Sequence, residues 1–513
     1  MNIGLAYSRN ARRNPLALAC FAGARSRTWA QVNDRSCRLA NLLRDRYGVA
    51  RGDRVAVLVA NRMEVVELVG GCAKSGAVYV GLNFRLGEPE YVDIFANCTP
   101  KVILADGELA PMARRITEGT DVVVLDIDDP VDYEEQLAAS SPAAPETERL
   151  VGPDDNFCIV YSSGTTGRPK GILFDVGATL QHAAVAVAEY ELSECSRWMI
   201  AIPHNSSMQI TIAPLALLGG AIGFADSRGF KPDRFAEEVR LNSVTHTFLV
   251  PTMLIRLLES TIDAEAVPTL RTIGYGSAPI APDRVKDLVE RFGPVFVQLY
   301  GMAEIASIGT MLRKSDHAAA AAGNTELFAT CGKESMAVMV RLVDDNGADV
   351  PVSEPGEIVF GAPYTMVSYY DEPERTSEVL IDGWMHSGDI GQWASDGYLK
   401  IVGRKKDLII RGGFNIAPTE IENVLTLHPQ VREAAVVGLE DPEWGEAIAA
   451  AVIASGSQVP SVEELQQWCR THGLPSIKIP ERVEVWPDLP RNAVGKITKA
   501  EVREQFTTGA GVS

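Results

Sequence analysis

Short apolar segments that alternate with segments of helical periodicity constrain the fold of this chain more than any other feature. Residues 55–60 (VAVLVA) form an uninterrupted apolar run, and residues 62–77 then carry apolar side chains three and four positions apart. Strands that are apolar on both faces are typical of parallel sheets covered by helices on both sides. The sequence therefore predicts an α/β architecture. The strand pattern returns at residues 78–82, 102–105, 122–125, 247–250, 272–275 and 295–300.

The last hundred residues have a different pattern, which is typical of a small α+β unit. Their predicted helices and strands are residues 418–428, 433–439, 447–454 and 461–472. A charged run at residues 403–407 (GRKKD) suits an exposed linker before this unit. We therefore expect a large N-terminal domain of parallel-rich sheets, residues 1–405, and a small mobile C-terminal domain, residues 406–513.

Two stretches are predicted to be surface loops. Residues 128–149 are rich in Asp, Glu, Ser, Ala and Pro. Residues 316–326 contain an alanine run that suits a helical turn, but the Gly-Asn pair that follows it favours a loop.

The charge balance and the hydropathy exclude several classes of partner. The chain has 513 residues with 48 Lys and Arg against 67 Asp and Glu, a net charge of −19. This balance argues against sequence-independent nucleic-acid binding and against docking on anionic membranes. The longest uncharged apolar stretch, residues 210–225, is shorter than the roughly 20 residues of a membrane span. With no signal-peptide pattern at the N-terminus, we expect a cytoplasmic protein without a membrane span.

Cysteines and histidines give no sign of a metal centre. The eight cysteines include no CxxC pair, and the seven histidines include no HExxH motif. These spacings exclude a zinc ribbon, a thioredoxin-type motif and a dense disulfide scaffold. We expect the cysteines to be buried reduced thiols.

A polar segment at residues 161–171 (YSSGTTGRPKG) follows a predicted strand at residues 157–161. It holds four Ser and Thr side chains, three glycines and Lys170 within eleven residues. Glycines let backbone N–H groups wrap an anion, hydroxyls add donors, and a lysine adds positive charge. The spacing differs from the Walker A pattern, because Pro169 precedes the lysine and no Ser or Thr follows it. The segment predicts a polyphosphate-binding loop, although a flexible polar loop would have a similar composition.

Residues 162–171 strongly resemble the phosphate-binding signature of the adenylate-forming superfamily, which contains acyl-CoA synthetases, luciferases and the adenylation domains of peptide synthetases. Further segments resemble the superfamily's other motifs, in the same order. These segments are residues 275–279 (YGSAP), 300–304 (YGMAE), 356–358 (GEI), 384–389 (WMHSGD), 403–407 (GRKKD), 412–415 (GGFN) and 490–496 (PRNAVGK). The resemblance extends from about residue 30 to about residue 500 and implies ATP, Mg²⁺ and a carboxylic acid as ligands.

The resemblance implies which residues bind the nucleotide. Tyr300 would offer a flat face to adenine, and Gln298 would read its amino edge. Asp389 would accept hydrogen bonds from the ribose hydroxyls, and Arg404 would contact ribose and phosphate. A core aromatic, a surface glutamine, a turn aspartate and a solvated arginine are the ordinary alternatives. The full implied set is Ser162, Ser163, Gly164, Thr165, Thr166, Gly167, Lys170, Gly276, Ser277, Ala278, Pro279, Gln298, Tyr300, Gly301, Asp389 and Arg404.

The implied catalytic residues are Lys496, Glu304, Thr165 and Thr166. Lys496 would reach the α-phosphate during adenylation, and Glu304 would be the ligand of Mg²⁺, a hard cation that prefers oxygen. The chain departs from the superfamily at Ala303, where a Thr is usual. Losing one neutral hydrogen bond costs on the order of 0.5–1.5 kcal/mol, so this departure should slow the reaction without abolishing it.

Coenzyme A is the predicted acyl acceptor. No carrier segment follows the lysine motif, and residues 202–207 (IPHNSS) lack the Asp that amino-acid-activating domains use. Residues 441–446 (DPEWGE) resemble the segment of CoA ligases that packs on pantetheine, with Trp444 as the contact and with Gly412 and Gly413 permitting close approach. A turn with a half-buried Trp is the ordinary alternative. An adenylation enzyme with another acceptor, or a nucleotide-binding protein that has lost turnover, are the other interpretations.

The resemblance also implies that the C-terminal domain rotates about a hinge at Lys406 between the two half-reactions. The predicted pocket for the acid consists of mostly apolar or aromatic positions without Lys or Arg, which disfavours a dicarboxylate. It consists of His204, Met208, Gln209, Tyr275, Gly276 and Met302. A medium-chain, alicyclic or aryl acid is expected, and His204 fits equally well as a histidine of the core. Whether the protein is a homodimer stays open.

Overall fold

The computed structural model describes residues 1–162, 168–206, 208–226, 229–456, 459–491 and 497–509, without the side chains of Ser206, Met208, Gln209 and Ser395. Its internal contacts divide the chain into two compact units. The first comprises Met1–Val340 and Phe360–Met385, and the second comprises Arg341–Val359 and His386–Ser513. The predicted boundary at residues 405 and 406 lies within the second unit and stays a prediction.

The largest sheet of the first unit has nine strands in the part of the chain that the structure describes. Its six central strands are parallel, and antiparallel strands flank them. Across the sheet the strands lie in the order Lys333–Glu334, Thr310–Leu312, Phe296–Tyr300, Thr272–Tyr275, His246–Leu249, Arg197–Ile200, Ala221–Phe224, Leu18–Ala22 and Arg25–Thr28.

A second sheet of the first unit contains the apolar runs at residues 55–60, 78–82, 102–105 and 122–125. Five of its seven strands are parallel neighbours. In three of them, Arg54–Leu58, Val78–Gly81 and Val102–Ala105, almost all residues are buried, as the uninterrupted apolar pattern predicts. One core lies between this sheet and the helices that cover it. The strand order is Ser368–Tyr369, Lys170–Asp175, Asn156–Ser162, Val78–Gly81, Arg54–Leu58, Val102–Ala105 and Val123–Asp126.

Helices cover these sheets, and several of them begin or end where the sequence has a capping residue. Thr28 forms a capping box with Gln31, and Gly76 ends a helix at φ +76°. The α-helices of the first unit are Ile3–Arg13, Trp29–Asn41, Glu64–Ser75, Glu88–Cys98, Ala110–Ile116, Gln136–Ala139, Thr147–Leu150, Val176–Glu189, Ala213–Leu218, Pro232–Asn242, Pro251–Leu258, Pro282–Phe292, Lys314–Ala321 and Pro373–Val379. Its π- and 3₁₀-helices are Leu42–Arg46, Pro130–Glu135, His204–Ser206, Met208–Ile212, Ala303–Ile305 and Thr325–Ala329.

The C-terminal region has the predicted α+β character. The strands lie in the order Phe414–Ile416, Ile409–Arg411, Gly445–Ala454 and Val431–Asp441, and Arg482–Val485 pairs with the third of these in parallel. The helices of the second unit are Pro418–Thr426, Val462–Thr471, Lys499–Thr508, Ser395–Gly397, Lys405–Asp407 and Ser476–Lys478. Another sheet contains, in order, Met339–Val343, Gly356–Gly361, Trp384–Trp393 and Leu380–Ile381, and Leu399–Arg404 pairs with the third.

Both predicted loops contain helices, so these two predictions are wrong. In the first, Asp129 accepts hydrogen bonds from two backbone N–H groups and starts Pro130–Glu135, and Thr147–Leu150 carries a buried glutamate that pairs with Lys74. In the second, the carboxylate of Asp316 accepts from the N–H of Arg313 and caps Lys314–Ala321. Alanine has the highest helix propensity, and the Gly-Asn pair ends this helix instead of preventing it.

The cysteines are free thiols, as predicted, and all are buried except Cys195, which is exposed. No helix in the described part of the chain has the length and hydropathy needed to cross a bilayer.

Candidate active site

Two neighbouring parallel strands place the predicted adenine residues side by side. Thr272–Tyr275 and Phe296–Tyr300 end next to each other, and Tyr275 pairs in register with Gln298. Ligands of open α/β sheets bind at the carboxyl ends of such strands. The sheet therefore brings Gln298 and Tyr300 to one edge with the loop that follows Tyr275.

The hydroxyl of Tyr275 is held by a histidine that the sequence did not single out. The ring of His317 lies with Nδ1 2.9 Å from the carbonyl oxygen of Arg313 and Nε2 2.9 Å from the Tyr275 hydroxyl. Because burial lowers the pKa of His317 to about 4, the ring is neutral, so Nδ1 donates to the carbonyl and Nε2 accepts from Tyr275. The amide oxygen of Gln298 lies 3.5 Å from the same hydroxyl.

Close backbone packing explains the glycines that follow these strands. A Cβ atom on Gly276 would lie 2.5 Å from the carbonyl oxygen of Leu299, and one on Gly301 would lie 2.6 Å from that of Ser307. Ser277 has φ +69°, a conformation that non-glycine residues rarely adopt and that often occurs at ligand-binding sites. Ser277, Ala278 and Pro279 are exposed and therefore accessible to a ligand.

The carboxylate of Glu304 is buried and hydrogen-bonded. Glu304 lies in the 3₁₀-helix Ala303–Ile305 and is 7% exposed. Its Oε1 accepts a 2.6 Å hydrogen bond from the hydroxyl of Tyr369, and its carbonyl oxygen accepts from the N–H of Met366. The ammonium of Lys170 lies 5.0 Å from the centre of the same tyrosine ring. One aromatic side chain thus contacts both the predicted metal ligand and a predicted phosphate-binding lysine.

The residues present fit a magnesium ion that is shared with the substrate. Mg²⁺ is usually bound through one or two carboxylates together with substrate phosphates, not by a cage of protein ligands. Glu304 supplies one such carboxylate, and the described residues contain no group of three or more metal-ligating side chains. Glu304 would therefore hold the ion together with the phosphates of ATP.

The predicted phosphate loop lies only partly within the described residues. Ser162 ends the strand Asn156–Ser162 and pairs in register with Lys170, which begins Lys170–Asp175. The two ends of the loop therefore lie beside each other, as a short loop between antiparallel strands requires. Ser163, Gly164, Thr165, Thr166 and Gly167 lie outside the described residues.

His204, a predicted pocket residue, is fully buried and hydrogen-bonded. In the ring, Nε2 lies 2.9 Å from the carbonyl oxygen of Val59 and Nδ1 lies 3.3 Å from the hydroxyl of Tyr79. The backbone N–H of His204 donates to the side-chain oxygen of Asn61. Burial lowers its pKa to about 4, so the ring is neutral at pH 7. These contacts give His204 a role in the core, and its place in an acid pocket stays a prediction.

The other pocket residues are only partly described. Tyr275 and Gly276 are buried, and Met302 is partly exposed before the helix of Glu304. Met208 and Gln209 begin the π-helix Met208–Ile212, but their side chains lie outside the described part of the structure. Single-turn π-helices often occur at functional sites.

In the second unit, the predicted ribose and phosphate residues form a cross-strand pair. Asp389 and Arg404 lie opposite each other in register, and the guanidinium Nε is 3.1 Å from the carboxylate of Asp389. The side chain of Asp389 is 15% exposed and that of Arg404 is 52% exposed. The hydroxyl of Ser387 accepts from the N–H of Asp389 and shapes the turn before it.

Glu357 connects this turn with the predicted hinge. Its Oε1 accepts from the N–H of Gly388 at 3.2 Å and lies 3.4 Å from Nδ1 of His386. Its Oε2 lies 3.3 Å from the ammonium of Lys405, which also pairs with Asp345. The motif at residues 356–358 therefore has a structural role that its sequence alone did not indicate.

The predicted CoA-contacting residues lie next to each other within the second unit. Gly412 has φ +54°, its N–H donates to the carbonyl oxygen of Trp444, and a Cβ atom on it would lie 3.0 Å from that indole. The Trp444 side chain is 42% exposed, and the guanidinium of Arg411 lies 5.1 Å from its ring centre. Gly413 has φ +82° with open space around it.

Two further predicted residues differ in how far the structure describes them. Lys406 is exposed in the 3₁₀-helix Lys405–Asp407. Lys496 lies outside the described residues.

Sequence reasoning missed Tyr369, His317 and Glu357, which act through contacts between segments that are distant in the chain. Of these three residues, Glu357 alone lies in a motif that the sequence singles out, at residues 356–358.

Comparison with known proteins identifies the family of this chain. Residues 7–370 match the model of the AMP-binding enzyme family, and residues 420–496 match that of the AMP-binding enzyme C-terminal domain. The chain belongs to the AMP-binding enzyme family. The predicted membership of the adenylate-forming enzymes, the predicted fold and the predicted ligase class are thereby confirmed.

Proteins similar to this chain include a CoA synthase, an acyl-carrier-protein ligase and an amide bond synthetase. Feruloyl-CoA synthase of Amycolatopsis sp is 37% identical over 502 residues, which cover 97% of this chain and 98% of that protein. The fatty acid–[acyl-carrier-protein] ligase ScoC of Streptomyces coeruleorubidus is 31% identical, over 97% and 95%. The solved structure of the amide bond synthetase McbA of Marinactinospora thermotolerans superposes with a TM-score of 0.87 at 30% identity, over 98% and 100%.

Proposed function

We propose that this chain is an ATP-dependent acyl-CoA synthetase that activates an apolar carboxylic acid, and that the acid is an aryl acid. The observation that carries the proposal is the similarity to feruloyl-CoA synthase, which extends over 97% of this chain at 37% identity. Family models for an AMP-binding enzyme and for its C-terminal domain match residues 7–370 and 420–496, which supports an enzyme that has both regions.

In the first half-reaction a carboxylate oxygen of the acid attacks the α-phosphorus of ATP. The bond between that phosphorus and the bridging oxygen to the β-phosphate breaks, so acyl-AMP forms and pyrophosphate leaves. Negative charge increases on the transferring phosphoryl oxygens, and positive groups directed at them lower the barrier. Lys496 and Lys170 are the cations that we assign to this role.

Glu304 would hold Mg²⁺ against the phosphates, and the bound ion would neutralise charge on the leaving pyrophosphate. Tyr300 and Gln298 would orient adenine at the ends of the parallel strands. Asp389 would bind the ribose hydroxyls, with its carboxylate held by Arg404 at 3.1 Å. Each of these groups binds or positions the nucleotide and leaves the bond changes to the acid and ATP.

In the second half-reaction the thiol sulfur of coenzyme A attacks the acyl carbon. The bond from that carbon to the AMP oxygen breaks, the thiol proton is lost to solvent, and AMP leaves. The backbone at Gly412 and Gly413 and the exposed face of Trp444 would contact the pantetheine arm. Rotation about Lys406 would exchange Lys496 for this loop between the two steps.

An acceptor other than coenzyme A is the second candidate. The similarity to an acyl-carrier-protein ligase and to an amide bond synthetase over nearly the whole chain favours it. The first half-reaction is the same in both cases, so only the second separates them.

The test is pyrophosphate release with Mg-ATP across aryl, alicyclic and medium-chain acids, with and without CoA. Acid-dependent release that CoA accelerates, with AMP and an acyl-CoA as products, is the expected result. Release that only an amine or a phosphopantetheinyl carrier protein accelerates would overturn CoA as the acceptor. Nucleotide binding without release on any acid would overturn the enzymatic proposal.

A further inference from the structure

We propose that Tyr369 is a positioning residue that orients the carboxylate of Glu304 toward Mg²⁺ and holds Lys170 beside the same phosphates. The proposal rests on the proposed function, because it takes Glu304 as the magnesium ligand. Tyr369 lies 65 positions from Glu304 in the chain, and both residues belong to the first unit.

The hydroxyl of Tyr369 makes a short, buried, charge-assisted hydrogen bond. Its oxygen lies 2.6 Å from Oε1 of Glu304, and the two residues are 1% and 7% exposed. The hydroxyl is the donor, because an ionised carboxylate has no proton to donate. Hydrogen bonds to an ionised group are about twice as strong as neutral ones.

A bond to one carboxylate oxygen fixes the rotation of the whole group. Mg²⁺ demands near-octahedral coordination at about 2.0–2.1 Å, so a freely rotating ligand would hold it poorly. With Oε1 engaged by Tyr369, Oε2 is the oxygen that we assign to the metal. Hydrogen-bond partners of metal ligands commonly change metal affinity by about 10–100-fold when they are mutated.

The ring of Tyr369 has a second role toward the phosphates. The ammonium of Lys170 lies 5.0 Å from the ring centre, within the range of a cation–π interaction. The guanidinium of Arg375 lies 5.6 Å from the same centre. The ring therefore contacts two cations while the hydroxyl binds an anion, which places charges of opposite sign at defined positions around one side chain.

The backbone of this segment is held independently of the hydroxyl. Tyr369 pairs in register with Ile172, its N–H donates to the Thr376 hydroxyl at 2.9 Å, and the N–H of Tyr370 donates to the carbonyl oxygen of Gly171. Tyr369→Phe therefore removes one hydrogen bond while it keeps the ring, the strand pairing and the contacts of the ring with both cations.

The test is calorimetric measurement of ATP affinity in EDTA and in excess Mg²⁺, which requires no turnover. In Tyr369→Phe we expect the gain in ATP affinity that Mg²⁺ gives to fall about tenfold relative to the wild-type chain. Affinity for AMP should stay near the wild-type value, whereas the midpoint of thermal unfolding should fall, because a buried carboxylate loses its hydrogen-bond partner. An unchanged gain, or equal losses for AMP and for Mg-ATP, would overturn the proposal.

Tyr370→Phe is the matched control, because it removes a hydroxyl from the neighbouring tyrosine, which faces no metal ligand in the proposal. It should keep the full gain, and an equal loss there would contradict a specific role of Tyr369. Glu304→Gln should remove the gain, and Tyr369→Phe should then have no further effect in that background. A gain that persists in Glu304→Gln would overturn the magnesium assignment itself, whereas failure to make a thioester would overturn only the proposed acceptor.

Discussion

The predicted site residues of the first unit differ from those of the second unit in how firmly the fold holds them. Glu304 and Tyr275 are buried, and hydrogen bonds to Tyr369 and His317 fix their polar atoms. Arg404 and Trp444 of the second unit have side chains about half exposed. Glu304 and Tyr275 therefore need no rearrangement, whereas the exposed faces of Arg404 and Trp444 can change their surroundings.

This difference matches the two roles that we propose, stabilisation of charge in the transition state and participation in one half-reaction only. Preorganised groups are effective at stabilising charge that develops in a transition state. Groups that serve one half-reaction and then leave must instead lie on a segment that moves. Lys405 of the hinge segment pairs with the exposed carboxylate of Asp345, and such surface pairs contribute little stability.

Lys496→Ala should have the largest effect, and the effect should be confined to the first half-reaction. We expect adenylation to fall about 100- to 1000-fold, or roughly 3–4 kcal/mol in the barrier, since a positive group directed at the α-phosphate is lost. Pyrophosphate release measures this step. Thioester formation from a supplied acyl-adenylate should stay near the wild-type rate.

Lys499→Ala is the control for the lysine, because Lys499 pairs with Glu422 in the same region. It should leave adenylation unchanged. If both variants lose adenylation, or if Lys496→Ala loses both half-reactions equally, then Lys496 has no specific role in the first step.

His204, one of the buried histidines of the first unit, predicts a pH dependence of stability. The folded pKa of His204 is about 4, lowered from 6.5 by burial. As the pH falls, the unfolded chain therefore binds this proton first, so the contribution of His204 is complete above pH 6.5 and is lost between pH 6.5 and 4. The full loss amounts to about 3 kcal/mol.

His204→Gln removes the titration and keeps one donor and one acceptor for Val59 and Tyr79. The midpoint of thermal unfolding should therefore fall less between pH 7 and pH 5 in this variant than in the wild-type chain. His472→Gln, at an exposed position of the second unit, should keep the wild-type dependence. Identical pH dependence in all three chains would show that burial of His204 is not linked to stability.

Lys406→Pro tests whether the backbone at the predicted hinge must change its torsion angles between the two half-reactions. Proline fixes the backbone φ angle, so a position that must change its torsion angles between two orientations would be restricted to one. We expect thioester formation to fall about 100-fold, the order of loss that misplaced reacting groups produce, while adenylation stays within about threefold. Separate assays of pyrophosphate release and of acyl-CoA formation from acyl-adenylate measure the two steps.

Lys406→Ala separates the backbone from the charge. It should keep both half-reactions, because the backbone torsions stay free. Equal loss of both steps in Lys406→Pro would contradict the hinge, and so would loss of thioester formation in Lys406→Ala of the same size.

The parts of the fold that follow from local pattern could be predicted from the sequence. The strands at residues 102–105 and 272–275 match the structure to the residue. For the first, the reason is its uninterrupted apolar run, VILA, which leaves little alternative. Residues 316–326 were predicted as a loop, since the cap from Asp316 to Arg313 that starts the helix has no strong signal in the sequence.

The candidate site could be predicted only where a motif marks it. Glu304 and Asp389 lie in such motifs. Tyr369 and His317 hold site residues through pairs separated by 65 and 42 positions, and nothing in the local sequence indicates which distant side chain folds against which. Positioning residues depend on tertiary packing, so the sequence named the groups that would touch substrate and missed those that orient them.

Ala303→Thr should have the smallest effect and would show how complete the preorganised site is. Ala303 begins the 3₁₀-helix of Glu304 and is partly exposed, so a larger side chain fits without disturbing the core. Restoring one hydroxyl near the phosphates should raise the rate of pyrophosphate release by up to about tenfold, since a neutral hydrogen bond contributes on the order of 0.5–1.5 kcal/mol. Ala303→Val has the same shape without the hydroxyl and should give no increase. If valine accelerated the reaction as much as threonine, packing around Glu304 would limit the rate, and the first unit would be less rigidly preorganised than its buried hydrogen bonds indicate.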